Sequence, residues 1–202
     1  MPSGHQQLDD RHGLLEGFLS RQRGKMAGRL IPRANRTGRV LDVGCGAYPR
    51  FLMSIDFSEK YGLDRLGTSS GHDPVRGITH LEWDIETSDT LPFDNEFFDV
   101  VTMLAVFEHI EPARLVSMVV EIRRLLKPGG LYILTTPAAW TDGLLRLLAS
   151  WKVVGPAQIA EHKDTYGPAK ISAILQRGGF SGEQIRCGYF ELFMNVWATA
   201  RK

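Results

Sequence analysis

Apolar positions along the chain follow two rhythms. Short, nearly continuous apolar runs stand at "GRVLDVG" (38–44), "FFDVVTMLA" (97–105) and "LYILTTP" (131–137). Runs of this kind read as strands buried on both faces of a parallel sheet. "KYGLD" (60–64) and "ITHLEWD" (78–84) are shorter strands, and "EQIRCGYF" (183–190) and "ELFMNVWATA" (191–200) close the chain as two more. Between them the spacing changes to that of a helix. Leu115, Met118, Val119, Ile122, Leu125 and Leu126 form one stripe, with Pro112 at its start and "KPGG" (127–130) at its end. Further helices are predicted over 11–30, over 142–153 and within "GPAKISAILQRGGF" (167–180), while residues 1–10 read as disordered. Strands alternating with helices, then two late strands, predict a doubly wound α/β fold. Its seven-stranded sheet is mostly parallel, with an antiparallel strand at the C-terminal end. No repeat or linker divides the chain, so residues 38–202 read as one domain preceded by an arm or cap, residues 1–37.

Composition narrows the partners. The 202 residues are 43% hydrophobic and 23% charged with a formal net charge of +1, an ordinary balance for a soluble globular protein. One local bias exists: from Arg11 to Arg39 there are eight Lys or Arg and one acid, Glu16. A solvated helix face is the plain meaning, and attraction of an anionic acceptor the sharper one. Only Phe18 interrupts that run as an aromatic, so no stable nucleic-acid partner is expected. Cys45 and Cys187 form no disulfide framework. The polar start lacks a secretory h-region, and no apolar run approaches a membrane span. A cytoplasmic location is expected. No residue cluster has metal-ligand spacing, so no metal is expected.

In open α/β sheets ligands sit beyond the carboxyl ends of the strands. Asp42, Asp64 and Asp84 stand at or near three such ends. A dinucleotide fingerprint fits badly: its third glycine is replaced by Pro49, and Asp42 would repel a pyrophosphate. A cofactor carrying an ammonium and a sulfonium would suit that carboxylate better.

"VLDVGCG", "YGLD", "WDIETSDTLPFDNEFFDVV", "FEHI", "LLKPGGLYILTTP" and "ILQRGGF" together resemble the class I S-adenosylmethionine-dependent methyltransferases of the type-11 group, with their Rossmann-like fold. The resemblance spans residues 38 to about 182. It implies S-adenosylmethionine as methyl donor, S-adenosylhomocysteine as product and a small-molecule acceptor. It implies that Gly44, Cys45 and Gly46 let the backbone approach the methionyl part, that Asp42 supports that loop, and that Asp64, with Arg65 beside it, accepts from the ribose hydroxyls. Asp84 and Ile85 would hold the adenine, and Leu104 and Ala105 would flank the sulfonium. The chain departs from the pattern at Tyr48, where a third glycine is usual, and the short stretch from Pro49 to Lys60 predicts a truncated first helix. Tyr48 reads as a packed aromatic rather than a lid.

Glu108 and His109 follow the fourth strand, at the expected mouth of the site, and His109 is the candidate base, because histidine as a residue type titrates near neutrality. The alternative is that "FEHI" only ends the strand. His162 and Tyr166 are candidates for the acceptor pocket. Two other functions remain: a non-catalytic binding protein of the same fold, and a nucleic-acid methyltransferase using the basic arm.

Overall fold

A computed structural model describes residues 4–65, 77–88, 90–138 and 166–202. Helix α1, Gly4–Leu30, begins seven residues before the expected start. The disorder expected up to residue 10 gives way to helix from Gly4 on; "HQQLDDR" has no proline to stop one. Then come β1 (Arg39–Val43), α2 (Arg50–Ser54), β2 (Glu59–Asp64), β3 (Thr79–Glu82) and β4 (Phe98–Leu104). The second half holds α3 (Pro112–Leu125), β5 (Leu126–Pro137), α4 (Pro168–Arg177), β6 (Ile185–Phe190) and β7 (Asn195–Arg201). The predicted helix at 142–153 lies outside the described residues.

The sheet order is β3-β2-β1-β4-β5-β7-β6. All neighbours from β3 to β5 are parallel, and β7 runs antiparallel to both β5 and β6. The chain order reverses between β1 and β4, which sets a crevice at their carboxyl ends.

Alternation along the strands divides the core in two. Leu41, Val43, Met103 and Leu134 face α3 and α4, while Val40, Val100 and Ile133 face α1 and α2. Truncation of the first crossover helix is observed: α2 has five residues. Ala27 and Ile31 of α1 join Phe51, Leu52 and Ile55 in the same core, so α1 covers the face that a longer α2 would have covered.

Two strand predictions need correction. "KPGG" lies within β5, but the pairing jumps from Phe98–Leu126 to Val100–Leu131, so the glycines bulge out of the ladder. Residues 191–194 form the turn between β6 and β7 instead of extending a strand. Glu191, Leu192 and Phe193 have φ of 51°, 55° and 67°, a left-handed path that reverses the chain. The apolar run "ELFM" masked that turn because it contains no glycine, proline or asparagine.

Candidate active site

The glycine turn after β1 is held by β2. Gly44 and Cys45 both donate their backbone N–H to the Leu63 carbonyl, at 2.7 and 3.2 Å. Gly46 N–H donates to Asp64 Oδ2 at 2.8 Å. Three consecutive amides are thus directed to the end of β2. Gly44 has φ +75°, and a Cβ there would stand 2.3 Å from Val106. Gly46 has φ +71°, with a Cβ position 4.0 Å from its nearest neighbour. A side chain at Gly44 would collide with protein, whereas one at Gly46 would take up open space over the turn.

A cavity of about 410 Å³ opens over this turn. Gly44, Asp64, Arg65, Asp84, Ile85 and His109 all line it. The structure therefore collects six of the sequence-predicted residues around one space, within the size range of small-ligand sites. Trp83 and Val106 also line it, and sequence reasoning had not singled them out. Trp83 is a large residue one position before Asp84, and that adjacency was the available signal. Its indole N–H donates to the Thr90 carbonyl at 3.2 Å, which fixes the ring plane beside the cavity. Asp84 Oδ1 accepts from Glu86 N–H at 2.8 Å, so turn formation and cavity lining coexist in one residue.

A smaller cavity of about 60 Å³ shares Gly44 and is lined by Asp42, Cys45 and Leu104 together with Arg23 and Tyr48. Asp42 is 4% exposed and accepts a 2.6 Å hydrogen bond from Thr102 of β4. Burial raises its pKa to about 7 against the pull of Thr102, with the Asp64 charge adding to the rise. Its negative charge is therefore only partly present at neutral pH. Burial, helped by Asp42 and Asp64, pushes the Cys45 thiol far up, so it stands as a neutral filler. Tyr48 is not packed as expected: it is 43% exposed, with the Arg50 guanidinium 5.2 Å from its ring centroid. Gly46 and Ala105 are not among the lining residues of either cavity. Ala105 adopts φ +57° at the end of β4 and donates its N–H to the Thr135 carbonyl at 2.9 Å.

The "FEHI" segment divides its roles. Phe107–His109 is one 3₁₀ turn, and His109 faces the larger cavity beside Asp64 and Asp84. Glu108, expected at the mouth, is 2% exposed, and its Oε2 has no hydrogen-bond partner. Burial drives its pKa up, while its backbone amide, His109, Thr136 and Arg23 pull the other way. Tyr166 is fully buried, its ring edge-on to Phe107 at 5.1 Å, so its aromatic body belongs to the core. His162 lies outside the described residues. Among the described residues no group of three or more His, Cys, Asp or Glu could hold a metal, and no helix is long and apolar enough to cross a membrane.

An S-adenosylmethionine molecule suits this arrangement on the chemistry of its donors. The larger cavity offers two carboxylates and an indole for a nucleoside. The smaller one, which shares Gly44 with it, offers charged groups for an amino-acid end.

Comparison with known proteins agrees. Residues 15–185 match a family described as a methyltransferase domain. The tRNA N(3)-cytidine methyltransferase METTL2 of Mus musculus is 28% identical over 123 residues, 54% of this chain and 31% of that protein. The ubiquinone biosynthesis O-methyltransferase of Roseobacter denitrificans is 32% identical over 103 residues, 48% of this chain and 40% of that one. The matches thus span well under half the length of these curated relatives. Among solved structures, a chain from the complex of the Haloferax volcanii Trm112 methyltransferase activator with a methyltransferase superposes with a TM-score of 0.69. It covers 94% of this chain and 93% of its own at 18% identity. An S-adenosylmethionine-dependent methyltransferase from Mesorhizobium loti gives 0.65 at 19% identity, over 91% of this chain and all of its own. Both show the fold.

Proposed function

The chain belongs to the methyltransferase-domain family, and from that premise we propose that it transfers a methyl group from S-adenosylmethionine to a small-molecule acceptor. One observation carries the choice of cofactor. The amides of Gly44, Cys45 and Gly46, which would face a pyrophosphate in a dinucleotide site, are directed to Leu63 and Asp64. A turn whose donors are directed inward, with Asp64 and Asp84 lining the same cavity, suits a nucleoside without phosphate.

When bound, the cofactor supplies an activated methyl group on a sulfonium. The chain's own residues do the rest. Asp64 accepts from the ribose hydroxyls, Asp84 and Ile85 hold the adenine beside Trp83, and Leu104, which lines the smaller cavity, borders the reacting end. Such chemistry depends mainly on positioning, and a base is needed only when the acceptor arrives protonated. His109 is the proposed base. Residues 1–37 serve as the cap and 38–202 as the cofactor-binding domain.

A second reading has its own support. Phe18, Arg21, Lys25 and Arg29 are all exposed, and their spacing places them on one face of α1. Several relatives are named as tRNA methyltransferases. A nucleic-acid acceptor would show salt-dependent RNA binding, lost on reversing the charges of Arg21, Lys25 and Arg29. Salt-independent turnover of a small acceptor would support the first reading. The primary test is calorimetric titration with S-adenosylhomocysteine and NAD, followed by an acceptor screen with labelled donor. Binding of NAD alone would end the proposal. Binding of the cofactor without transfer to any small molecule or RNA would favour a non-catalytic member of the family.

A further inference from the structure

Another cavity, of about 400 Å³, shares no lining residue with the two at the glycine turn. Three of its lining residues, Trp197, Thr199 and Arg201, stand at every second position of β7 and so on one face of the sheet. Register brings Arg186 of β6 opposite Thr199 and Leu131 of β5 opposite Arg201. Opposite Trp197 on β6 is Gly188, where a Cβ would stand 2.7 Å from Cε2, Cζ2 and Nε1 of the indole. The ring therefore lies on bare backbone, and as a half-buried residue it still lines the cavity. Cations elsewhere on the sheet are matched, Arg39 with Glu59 and Lys127 with Asp99. Arg186 and Arg201 are not. Among the described residues their hydrogen bonds run through Nη1 to the carbonyls of Glu183, Ile185 and Gly129, and to no carboxylate. Thr199 between them is 9% exposed, and its hydroxyl has no hydrogen-bond partner among the described residues.

We infer that this cavity binds a nucleotide, with the base on Trp197 and the phosphate held by Arg186, Arg201 and the Thr199 hydroxyl. Two guanidiniums on one face without a carboxylate between them repel each other, and an anion seated there relieves the repulsion. Each keeps its Nε and Nη2 donors, the fork that grips phosphate oxygens in pairs. One face of the indole is taken by the backbone at Gly188, and the other can receive a planar base, a contact tolerant of base identity. Residues two apart on a strand are ~7 Å apart, so the ring platform and the cations stand side by side on one rigid element. A base and its 5′-phosphate are likewise separated by a single sugar. A bare phosphate would leave the indole unused, and an uncharged ring would leave the guanidiniums unmatched. Glu183 is the one acid among the described lining residues, and it is exposed, so two guanidiniums against one carboxylate leave the cavity positive. The nucleotide can be free or part of an RNA strand, since both present the same ring and phosphate. The inference does not depend on the proposed cofactor.

Calorimetry with the full chain compares four probes: uridine 5′-monophosphate, uridine without the phosphate, ribose 5-phosphate without the ring, and a 5′-phosphorylated pentauridylate. A pyrimidine keeps the probes apart from the proposed adenine site. Uridine 5′-monophosphate should bind roughly tenfold or more tightly than uridine or ribose 5-phosphate, because each of these lacks one of the two contacts. Arg186→Glu and Arg201→Glu should each weaken it by roughly tenfold or more, and Trp197→Leu by roughly fivefold or more. Arg21→Ala, on the exposed face of α1, should leave it unchanged. Pentauridylate binding no tighter than the mononucleotide assigns the site to free nucleotides. Tighter pentauridylate binding that Arg186→Glu abolishes assigns it to RNA. A wild type that binds neither the mononucleotide nor the pentauridylate overturns the inference, as does binding that Arg186→Glu and Arg201→Glu leave unchanged. Ribose 5-phosphate or uridine binding as tightly as the mononucleotide also overturns it, because the ring or the phosphate would then go unrecognised. If Arg201→Glu or Trp197→Leu does not fold, the exposed Arg186→Glu decides alone.

Discussion

Asp64 does two jobs with one carboxylate. Its Oδ2 fixes the glycine turn through Gly46, and the residue also lines the larger cavity, the proposed nucleoside site. Asp64→Ala should therefore weaken S-adenosylhomocysteine binding more than His109→Ala does, by about 1.5–3 kcal/mol for hydrogen bonds to a charged group. Equal calorimetric affinities for wild type and Asp64→Ala would remove that role. For His109, a positioned base contributes ~10²–10⁴-fold to rate. His109→Ala should lower turnover on that scale with cofactor affinity nearly intact; unchanged turnover per folded molecule would assign it to the structure. Because it lines the same cavity as Asp64 and Asp84, a large loss of cofactor affinity would make it a donor contact instead.

Asp42 makes a pH prediction. Its folded pKa of about 7 lies above the ordinary 3.8, so the folded state retains a proton that the unfolded chain releases. The associated stability is fully present below the ordinary value and is lost as pH rises towards 7. The loss is about 4 kcal/mol at one pKa unit per 1.36 kcal/mol, as an order of magnitude. In Asp42→Asn that loss should vanish. Urea unfolding at pH 4 and pH 7.5 measures it, and parallel pH profiles for the two proteins would contradict it.

Between elements, helix α3 braces the loop that leads into β4. Glu121 Oε1 accepts the buried Leu91 N–H at 2.8 Å, and Arg124 donates to Glu121 and to the carbonyls of Leu91 and Phe93. That brace sets Phe93 edge-on to Tyr61 of β2 and to Phe98 of β4, so the loop packs on side chains of both strands. Glu121→Ala leaves the Leu91 amide without its acceptor and should cost about 1–3 kcal/mol of unfolding free energy. The hydrogen bond from Arg124 holds the Glu121 carboxyl below its usual range. The contribution is therefore present above the ordinary carboxylate pKa and is lost as acidification passes through the folded value. Chemical denaturation at neutral pH and at pH 3 should show the wild type converging on Glu121→Ala in acid. A constant difference across pH would refute the pairing.

At the scale of the molecule, the cofactor should link α1 to the sheet, because the two cavities meet at Gly44 and Arg23 comes from α1. Saturating S-adenosylhomocysteine should raise the melting temperature, since a ligand at 100 times its Kd adds about 2.7 kcal/mol to the folded state. NAD at the same concentration should not. A shift with NAD and none with S-adenosylhomocysteine would count against the whole site.

The strands at 38–44 and 97–105 were legible because a parallel sheet buried on both faces demands continuous apolar runs, and the carboxyl ends of the runs at 38–44, 60–64 and 78–84 pointed to Asp42, Asp64 and Asp84 in advance. The short α2 was legible too, since too few residues lie between Pro49 and Lys60 for a full crossover helix. The left-handed turn at Glu191–Phe193 was not, because its residues carry no turn signal and only the antiparallel pairing of β6 with β7 imposes it. Sequence order likewise gave no hint that Arg23 is turned toward Gly44. Helical phase alone allows it; the packing of Ala27 and Ile31 on Phe51 and Leu52 decides it. Burial periodicity and turn chemistry are local, so the succession of strands and helices along the chain, and the acidic residues near three strand ends, could be read from residue order. That Glu108 is buried while His109 faces the cavity, and that the turn amides point to β2, could be seen only once the elements were packed together. Those outcomes depend on elements far apart in the chain meeting at one place.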